Sequence, residues 1–425
     1  MSSSHRTFNL ADILSLVAEI HPHRCAFVCG SQTLSFSELD ERSTRLASSL
    51  RRMGVARGQH VGLQLFNSAA YLEAFFACCK IGAVPVNINY RYVADELVRL
   101  FRSMDLEVLF YSASFGQEVT AVQPQVPALK TLIQVGAGAG PEAALDHETL
   151  IASGKNDLHD VARREDDLIM LCTGGTTGAP RGVMWPHKSL FMGALGGGGL
   201  YFRKGPASSL DELAQWLKAA PEARYFALAP MMHGAALWAT LISLYAAQTV
   251  VVNDQTHFDP EHVWQVTQDQ RVNVISGVGD AMALPLVQAL EKHPGRWNLQ
   301  HLALYGNGGA PLSAQVTQRM KAAVPHLMFN NGMGSSEAGF MGGGEKPAEG
   351  DGLLVLPARP DLALFDAQRN KLTEPGSQGI LGRTGHTPIG YYADPVKSAE
   401  TFVHIEGQVW VMTGDIARIN EQGRF

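Results

Sequence analysis

Between Leu171 and His187 the chain reads Leu-Cys-Thr-Gly-Gly-Thr-Thr-Gly-Ala-Pro-Arg-Gly-Val-Met-Trp-Pro-His. These residue types suit anion chemistry. Gly174, Gly175, Gly178 and Gly182 let backbone N–H groups converge on an anion with no side chain in the way. Thr173, Thr176 and Thr177 add hydroxyl donors, and Arg181 adds a fixed positive charge with a forked donor set. The stretch reads as a loop that holds phosphates, although a Gly/Thr-rich loop can also be a plain turn. No register of it supplies the Gly-x4-Gly-Lys-Ser/Thr of a Walker A loop, and it is not Gly-x-Gly-x-x-Gly after a strand. Four more stretches carry polar or acidic residues beside glycines: Pro230 to Gly234 with His233, Gly308-Gly309-Ala310-Pro311, Gly332 to Glu337, and Trp410 to Ile416 with Thr413-Gly414-Asp415. Each is weak by itself. A lone histidine is more often structural than functional, and Glu337 could be a helix-start carboxylate.

The elements that must position these loops follow from periodicity. Leu168 to Leu171 is a short apolar run, read as a buried strand opening into the first loop. Ahead of it, Asn9 to Ile20 has helical spacing, and Cys25–Cys29 with Thr33–Phe36 reads as a hairpin around Gly30-Ser31. Ser37 is a candidate N-cap for a helix closed by Gly54. Val61 to Phe66, Val84 to Ile88 and Val108 to Tyr111 read as strands, separated by helices over Ala69 to Ile81 and from Ala94. Strand–helix alternation favours a parallel α/β sheet. The rhythm repeats from Tyr225 to Phe329, and each motif loop follows a strand, where open α/β sheets bind ligands. Gly277-Val278-Gly279-Asp280 is a further loop of this kind, and Gly196 to Gly199 reads as a turn. After about Asp351 the strands shorten and turns multiply, which reads as a small β subdomain. The expected division is 1–165, 166–350 and 351–425.

A chain of 425 residues suggests two or three domains or subdomains. A net charge of -6 gives no electrostatic case for nucleic acid. Five cysteines (Cys25, Cys29, Cys78, Cys79, Cys172) show no zinc spacing, and their odd number argues against a disulfide framework. Reduced thiols in a cytoplasmic protein are the plain reading. There is no signal-peptide core and no apolar run long enough to span a membrane. Peripheral membrane contact and a homodimer stay open.

Taken together, in this order and spacing, the loops resemble the adenylate-forming superfamily of acyl-CoA synthetases, adenylation domains and luciferases. That family's signature loop reads roughly Thr-Ser/Gly-Gly-Thr-Thr-Gly-x-Pro-Lys-Gly; here Arg181 stands where lysine is usual. The resemblance covers almost the whole chain. It implies two stacked, mostly parallel α/β subdomains followed by a β-rich one.

It also implies roles, position by position. Thr173, Gly174, Gly175, Thr176, Thr177, Gly178 and Arg181 would embrace the β- and γ-phosphates of ATP. Gly308, Gly309, Ala310 and Pro311 look like the segment flanking adenine. Asn331, Gly332, Met333, Gly334, Ser335, Ser336 and Glu337 resemble the family's Tyr-Gly-x-Thr-Glu stretch, with Met333 in place of the aromatic residue. Ser336 keeps the hydroxyl expected near the α-phosphate. Glu337, with Thr173, would ligate Mg²⁺, an oxygen-seeking ion. Asp415 resembles the ribose-binding aspartate. Thr173, Arg181, His233 and Glu337 would be catalytic, and His233, Ala235, Trp238, Gly279 and Gly332 would meet the acyl substrate.

The implied chemistry is ATP-dependent activation of a carboxylic acid to an acyl-adenylate, then transfer to the thiol of coenzyme A. Met184-Trp185, Val278-Gly279-Asp280 and Gly334 to Ala338 look like ligases of long-chain fatty or steroid side-chain acids. Met231, Ala235, Ala236, Leu237 and Trp238 would suit a greasy acyl tunnel, or are ordinary helix core. Family members continue through a hinge into a smaller domain that supplies a lysine for adenylation. This sequence ends at Phe425, so the expectation is nucleotide binding with poor adenylation and little thioester. Other readings are an aryl-acid ligase or peptide-synthetase domain, a non-catalytic nucleotide-binding module, and a phosphotransferase that would release ADP rather than AMP.

Overall fold

The computed structural model describes residues 6–174, 180–344 and 353–425. Among these residues, two eight-stranded sheets and one five-stranded sheet form the framework. The first sheet runs Gly390–Tyr391, Arg181–Pro186, Leu168–Thr173, Val84–Asn87, His60–Gln64, Val108–Ser112, Thr131–Val135, Leu145–Asp146. Its strands pair parallel from Leu168–Thr173 onward and antiparallel at the Gly390 edge. The second sheet runs Gly339–Gly344, Met328–Ser335, Leu304–Asn307, Val274–Gly277, Arg224–Ala227, Thr249–Val252, Cys25–Cys29, Gln32–Ser35. It is parallel inside and closed by an antiparallel hairpin at each edge. The third sheet, Lys371–Leu372, Leu362–Phe365, Gln378–Arg383, Gln408–Arg418, Phe402–Ile405, is antiparallel throughout. The expected α/β class with a small β-rich end is therefore present.

Parallel strands are buried on both faces, so they are apolar along their length and need helices on either side. The helix Ala69–Ile81 meets that need most fully: every residue of it is buried. Ser68 caps it by accepting from the Tyr71 amide, and Gly82, at φ +71°, closes it where a Cβ would be strained. One continuous core then includes Leu63 and Val183 of the first sheet, Phe75 and Phe76 of this helix, and Tyr225 and Leu241 from the other half. That shared core fixes one sheet against the other.

Both large sheets take strands from either side of the 165/166 division. Leu168–Thr173 and Arg181–Pro186 complete the sheet begun by residues 60–146, and Cys25–Cys29 joins the second sheet through Thr249–Val252. Apolar periodicity finds strands but does not name their partners. Ser35, not Ser37, is the N-cap of the helix Phe36–Arg52: its hydroxyl accepts from the Glu38 amide while Glu38 reaches back to Ser35, a capping box. The strand that leads into the Gly308–Pro311 loop lies at Leu304–Asn307, and the Gly196 turn is a short 3-10 stretch. Among the described residues no helix is long and apolar enough to cross a membrane.

Candidate active site

The phosphate-type loop hangs from an antiparallel hairpin, Leu168–Thr173 against Arg181–Pro186, with Thr173 directly opposite Arg181. Gly175, Thr176, Thr177 and Gly178 lie outside the described residues. Thr173 is half-buried and Gly174 exposed. Arg181 donates from Nε to Asp394 Oδ2 at 2.9 Å, and its guanidinium carbon lies 5.9 Å from the centre of the Tyr391 ring. The Tyr391 hydroxyl donates to Glu337 Oε1 at 2.9 Å. Burial, together with the Glu337 carboxylate, pushes the Tyr391 phenol up to about 12, so it stays a donor at neutral pH. Two expected site residues from opposite sheets, Arg181 and Glu337, thus meet on one side chain.

Glu337 sits in the turn of a second antiparallel hairpin, Met328–Ser335 against Gly339–Gly344. That turn is tied down from several directions. Ser335 Oγ accepts from the Ala338 amide at 2.9 Å. The buried Trp185 indole donates to the Ser336 carbonyl at 2.8 Å. Arg383, only 2% exposed, donates to the Ala338 carbonyl, and at 2.7 Å to the Gly193 carbonyl. Gly339 is at φ +69°, and a Cβ there would stand 2.6 Å from Arg383 Nη1, so glycine is required. Met333 and Gly334 straddle a register shift in the hairpin, and Met333 packs on the main core.

The adenine-type segment is organised by Asn307, at the carboxyl end of its strand. Asn307 Oδ1 accepts from the Gly279 amide at 2.7 Å, and its Nδ2 donates to the Ala310 carbonyl at 3.0 Å and to Asn331 Oδ1 at 3.1 Å. Gly279, at φ +55°, comes so close that a Cβ would lie 2.7 Å from the Pro311 carbonyl oxygen. Gly308, Gly309, Ala310, Pro311, Gly279, Asn331 and Gly332 are therefore brought together, with Asn307 the residue that periodicity alone did not single out.

Pro230 to Gly234 is held from the first sheet. Asn67 bonds the Ala229 carbonyl and the Met231 amide at 2.9 and 2.7 Å, and Tyr71 donates to the Met231 carbonyl at 3.0 Å. Asn87 donates to the Met232 carbonyl and accepts from the Cys172 amide at 2.7 Å, joining this loop to the signature strand. His233 and Ala235 are exposed at the start of the helix Gly234–Tyr245, while Trp238 is buried, 6.2 Å from Trp185 in an edge-on contact. Crowding by neighbouring atoms and the nearby Arg91 hold the His233 imidazole below its usual pKa, so it is neutral at pH 7. Asp415 is exposed in the third sheet, where pairing jumps from Ile380↔Ile416 to Gly382↔Met412, and its carboxylate accepts from Thr413 at 2.5 Å.

Glu337 offers a carboxylate oxygen beside the hairpin that carries Thr173 and Arg181. A Mg²⁺ ion bound through one or two carboxylates plus substrate phosphates fits that donor set. Among the described residues, the group of three potential metal ligands within 4.8 Å of one another is Glu73, His147 and Glu148. Arg42 already bridges its two carboxylates. Tyr391, Asp394 and Arg383 were not singled out in sequence, although Asp394-Pro395 ahead of a helical stretch is a readable N-cap signal.

The profile of the family described as AMP-binding enzyme matches residues 14–388. A medium-chain acyl-CoA ligase of Mycobacterium avium is 33% identical over all of this chain and 80% of its own length. A 3-oxocholest-4-en-26-oate–CoA ligase of Rhodococcus rhodochrous is 32% identical over 98% of this chain and 76% of its own. The crystal structure of a long-chain-fatty-acid–CoA ligase from Archaeoglobus fulgidus superposes with a TM-score of 0.83, covering all of this chain and 84% of that one at 21% identity, which is a likeness of fold. The chain belongs to the AMP-binding enzyme family.

Proposed function

We propose that this chain is an ATP-dependent acyl-CoA ligase acting on medium- or long-chain fatty acids or steroid side-chain acids. The observation that supports the reading is the meeting of Arg181 and Glu337 on Tyr391, a cation suited to phosphate and a carboxylate suited to a metal sharing one side chain. An oxygen of the substrate carboxylate attacks the α-phosphorus of ATP, the bond to the bridging oxygen breaks, and pyrophosphate leaves. The nucleophile is already ionised, so the protein supplies position and charge rather than a general base. Thr173 and Arg181 hold the β- and γ-phosphates, the Gly308–Pro311 segment flanks the base, and Asp415 takes the ribose. Glu337 and Thr173 would hold Mg²⁺, which when bound neutralises phosphate charge. The thiol sulfur of coenzyme A then attacks the acyl carbon, the thiol proton goes to solvent and AMP departs.

The substrate class rests on the relatives and on the apolar surroundings of the Pro230–Gly234 loop, where Met231, Leu237 and Trp238 are buried. The five free cysteines suit a reducing compartment, and we place the protein in the cytoplasm. The test is pyrophosphate exchange into ATP with a panel of acids. Fatty or steroid side-chain acids should support faster exchange than benzoates. Exchange driven best by aryl acids would move the substrate class, and ADP as product would overturn the reading.

A further inference from the structure

The segment Gly390–Asp394 belongs to neither motif hairpin, yet it holds Arg181. Asp394 uses both carboxylate oxygens: Oδ1 accepts from the Lys397 amide at 3.0 Å as the N-cap of the helix Pro395–Thr401, and Oδ2 accepts from Arg181 Nε at 2.9 Å. The cap fixes Asp394 to its helix whether or not Arg181 is there. The Arg181 side chain, in contrast, makes a single hydrogen bond among the described residues, with the face of Tyr391 beneath it and 35% of it exposed. A carboxylate oxygen and a phosphate oxygen present the same acceptor to a guanidinium, but a triphosphate brings more charge.

We propose that Asp394 is a positioning residue that parks Arg181 in the nucleotide-free protein and is displaced by the β- and γ-phosphates of ATP. This rests on the reading that Arg181 contacts those phosphates. Asp394 occupies the cation where the phosphates would take it, so binding exchanges one acceptor for another. Capped Asp394 stays in place, ready to retake Arg181 when pyrophosphate leaves. The planar guanidinium over Tyr391 can turn between the two acceptors without losing its ring contact, which a point charge on a flexible stem does not provide.

The experiment is a double-mutant cycle read by calorimetric binding of ATP and of AMP to the intact chain. Asp394→Asn keeps a good N-cap and removes the charge. An exposed ion pair of this kind is weak, so D394N is expected to tighten ATP by about two- to fivefold and to leave AMP unchanged. In the Arg181→Ala background the same substitution should leave the ATP-to-AMP affinity ratio as it was. Equal changes for ATP and AMP, no tightening, or the same gain without Arg181 would each overturn the latch. If the unmodified chain discriminates ATP from AMP and Arg181→Ala does not reduce that discrimination, the phosphate role of Arg181 fails, a result distinct from failure of the latch. Asp394→Ser, also a capping residue, repeats the measurement should D394N fold poorly.

Discussion

Each large sheet carries, at or next to one edge, an antiparallel hairpin that bears a motif, and the two are held in opposite ways. The hairpin Leu168–Pro186 reaches out through Arg181, whose described partners are one exposed-edge carboxylate and one ring. The hairpin Met328–Gly344 is gripped through its backbone: Trp185 takes the Ser336 carbonyl and Arg383 the Ala338 carbonyl, both from buried positions. A buried donor kept from water fixes geometry, since leaving the carbonyl unpaired costs about 1–3 kcal/mol. A half-exposed ion pair contributes about 0–1 kcal/mol and can be exchanged for another. The carboxylate that would hold a metal is thus preset, and the cation that would follow phosphates is adjustable.

The sharpest way to break this contrast is at Arg383. Arg383→Met should remove two buried donor contacts and strand Ala338 and Gly193, costing about 3 kcal/mol or more in urea denaturation. A loss under about 1 kcal/mol would mean that the second hairpin is not held as described. Glu337→Gln keeps an acceptor for Tyr391 and removes the charge. It should lower acid-dependent pyrophosphate exchange by about a hundredfold with the melting temperature unchanged, and exchange within about threefold of the parent would remove Glu337 from the metal role.

The signature hairpin also depends on its far end. His187 is fully buried, and its Nδ1 accepts from the Leu10 amide at 3.4 Å, which requires the neutral ring. Burial pushes its pKa down to about 3. The unfolded chain therefore binds the proton that the native state excludes. The contribution of this one group to stability is constant above about pH 6.5 and falls by about 1.4 kcal/mol per unit as pH drops toward 3, or about 2 kcal/mol at pH 5. His187→Asn, with an amide oxygen to replace Nδ1, should flatten that acid limb in urea titrations at pH 7 and pH 5. An unchanged slope would show that the acid sensitivity comes from other groups.

These tests mark what was legible in sequence. Glycines and hydroxyls that bind through their own backbone neighbourhood cluster in sequence, so Thr173, Gly308–Pro311 and Ser335–Glu337 stood out. Their supports did not. Tyr391 and Arg383 come from segments about 50 residues beyond Glu337, and Trp185 from about 150 before it, and no periodicity links such positions. Asn87 and Asn67 look like ordinary strand-end polar residues until the second sheet is placed against them. The fold class was readable from strand–helix alternation, whereas strand order was not, because a parallel pair can be joined across any crossover. Asp415 is aimed by an irregularity in strand pairing that leaves no composition signal.

The smallest expected effect is the most discriminating for the adjustable hairpin. Arg181→Lys restores the residue usual in the resembling loops. Lysine can still pair with Asp394 as a point charge, but it gives up the fork and the flat contact with Tyr391. If the cation only supplies charge to the phosphates, the KM for ATP should change by less than about threefold and kcat should hold, because an exposed pair of this kind carries under about 1 kcal/mol. A fall of tenfold or more in kcat at saturating ATP would instead mean that the guanidinium is placed as firmly as Glu337, and that the two hairpins are preset alike. Because Asp394 is capped independently of Arg181, it would stand in the same place in either variant, so the difference reads the cation alone.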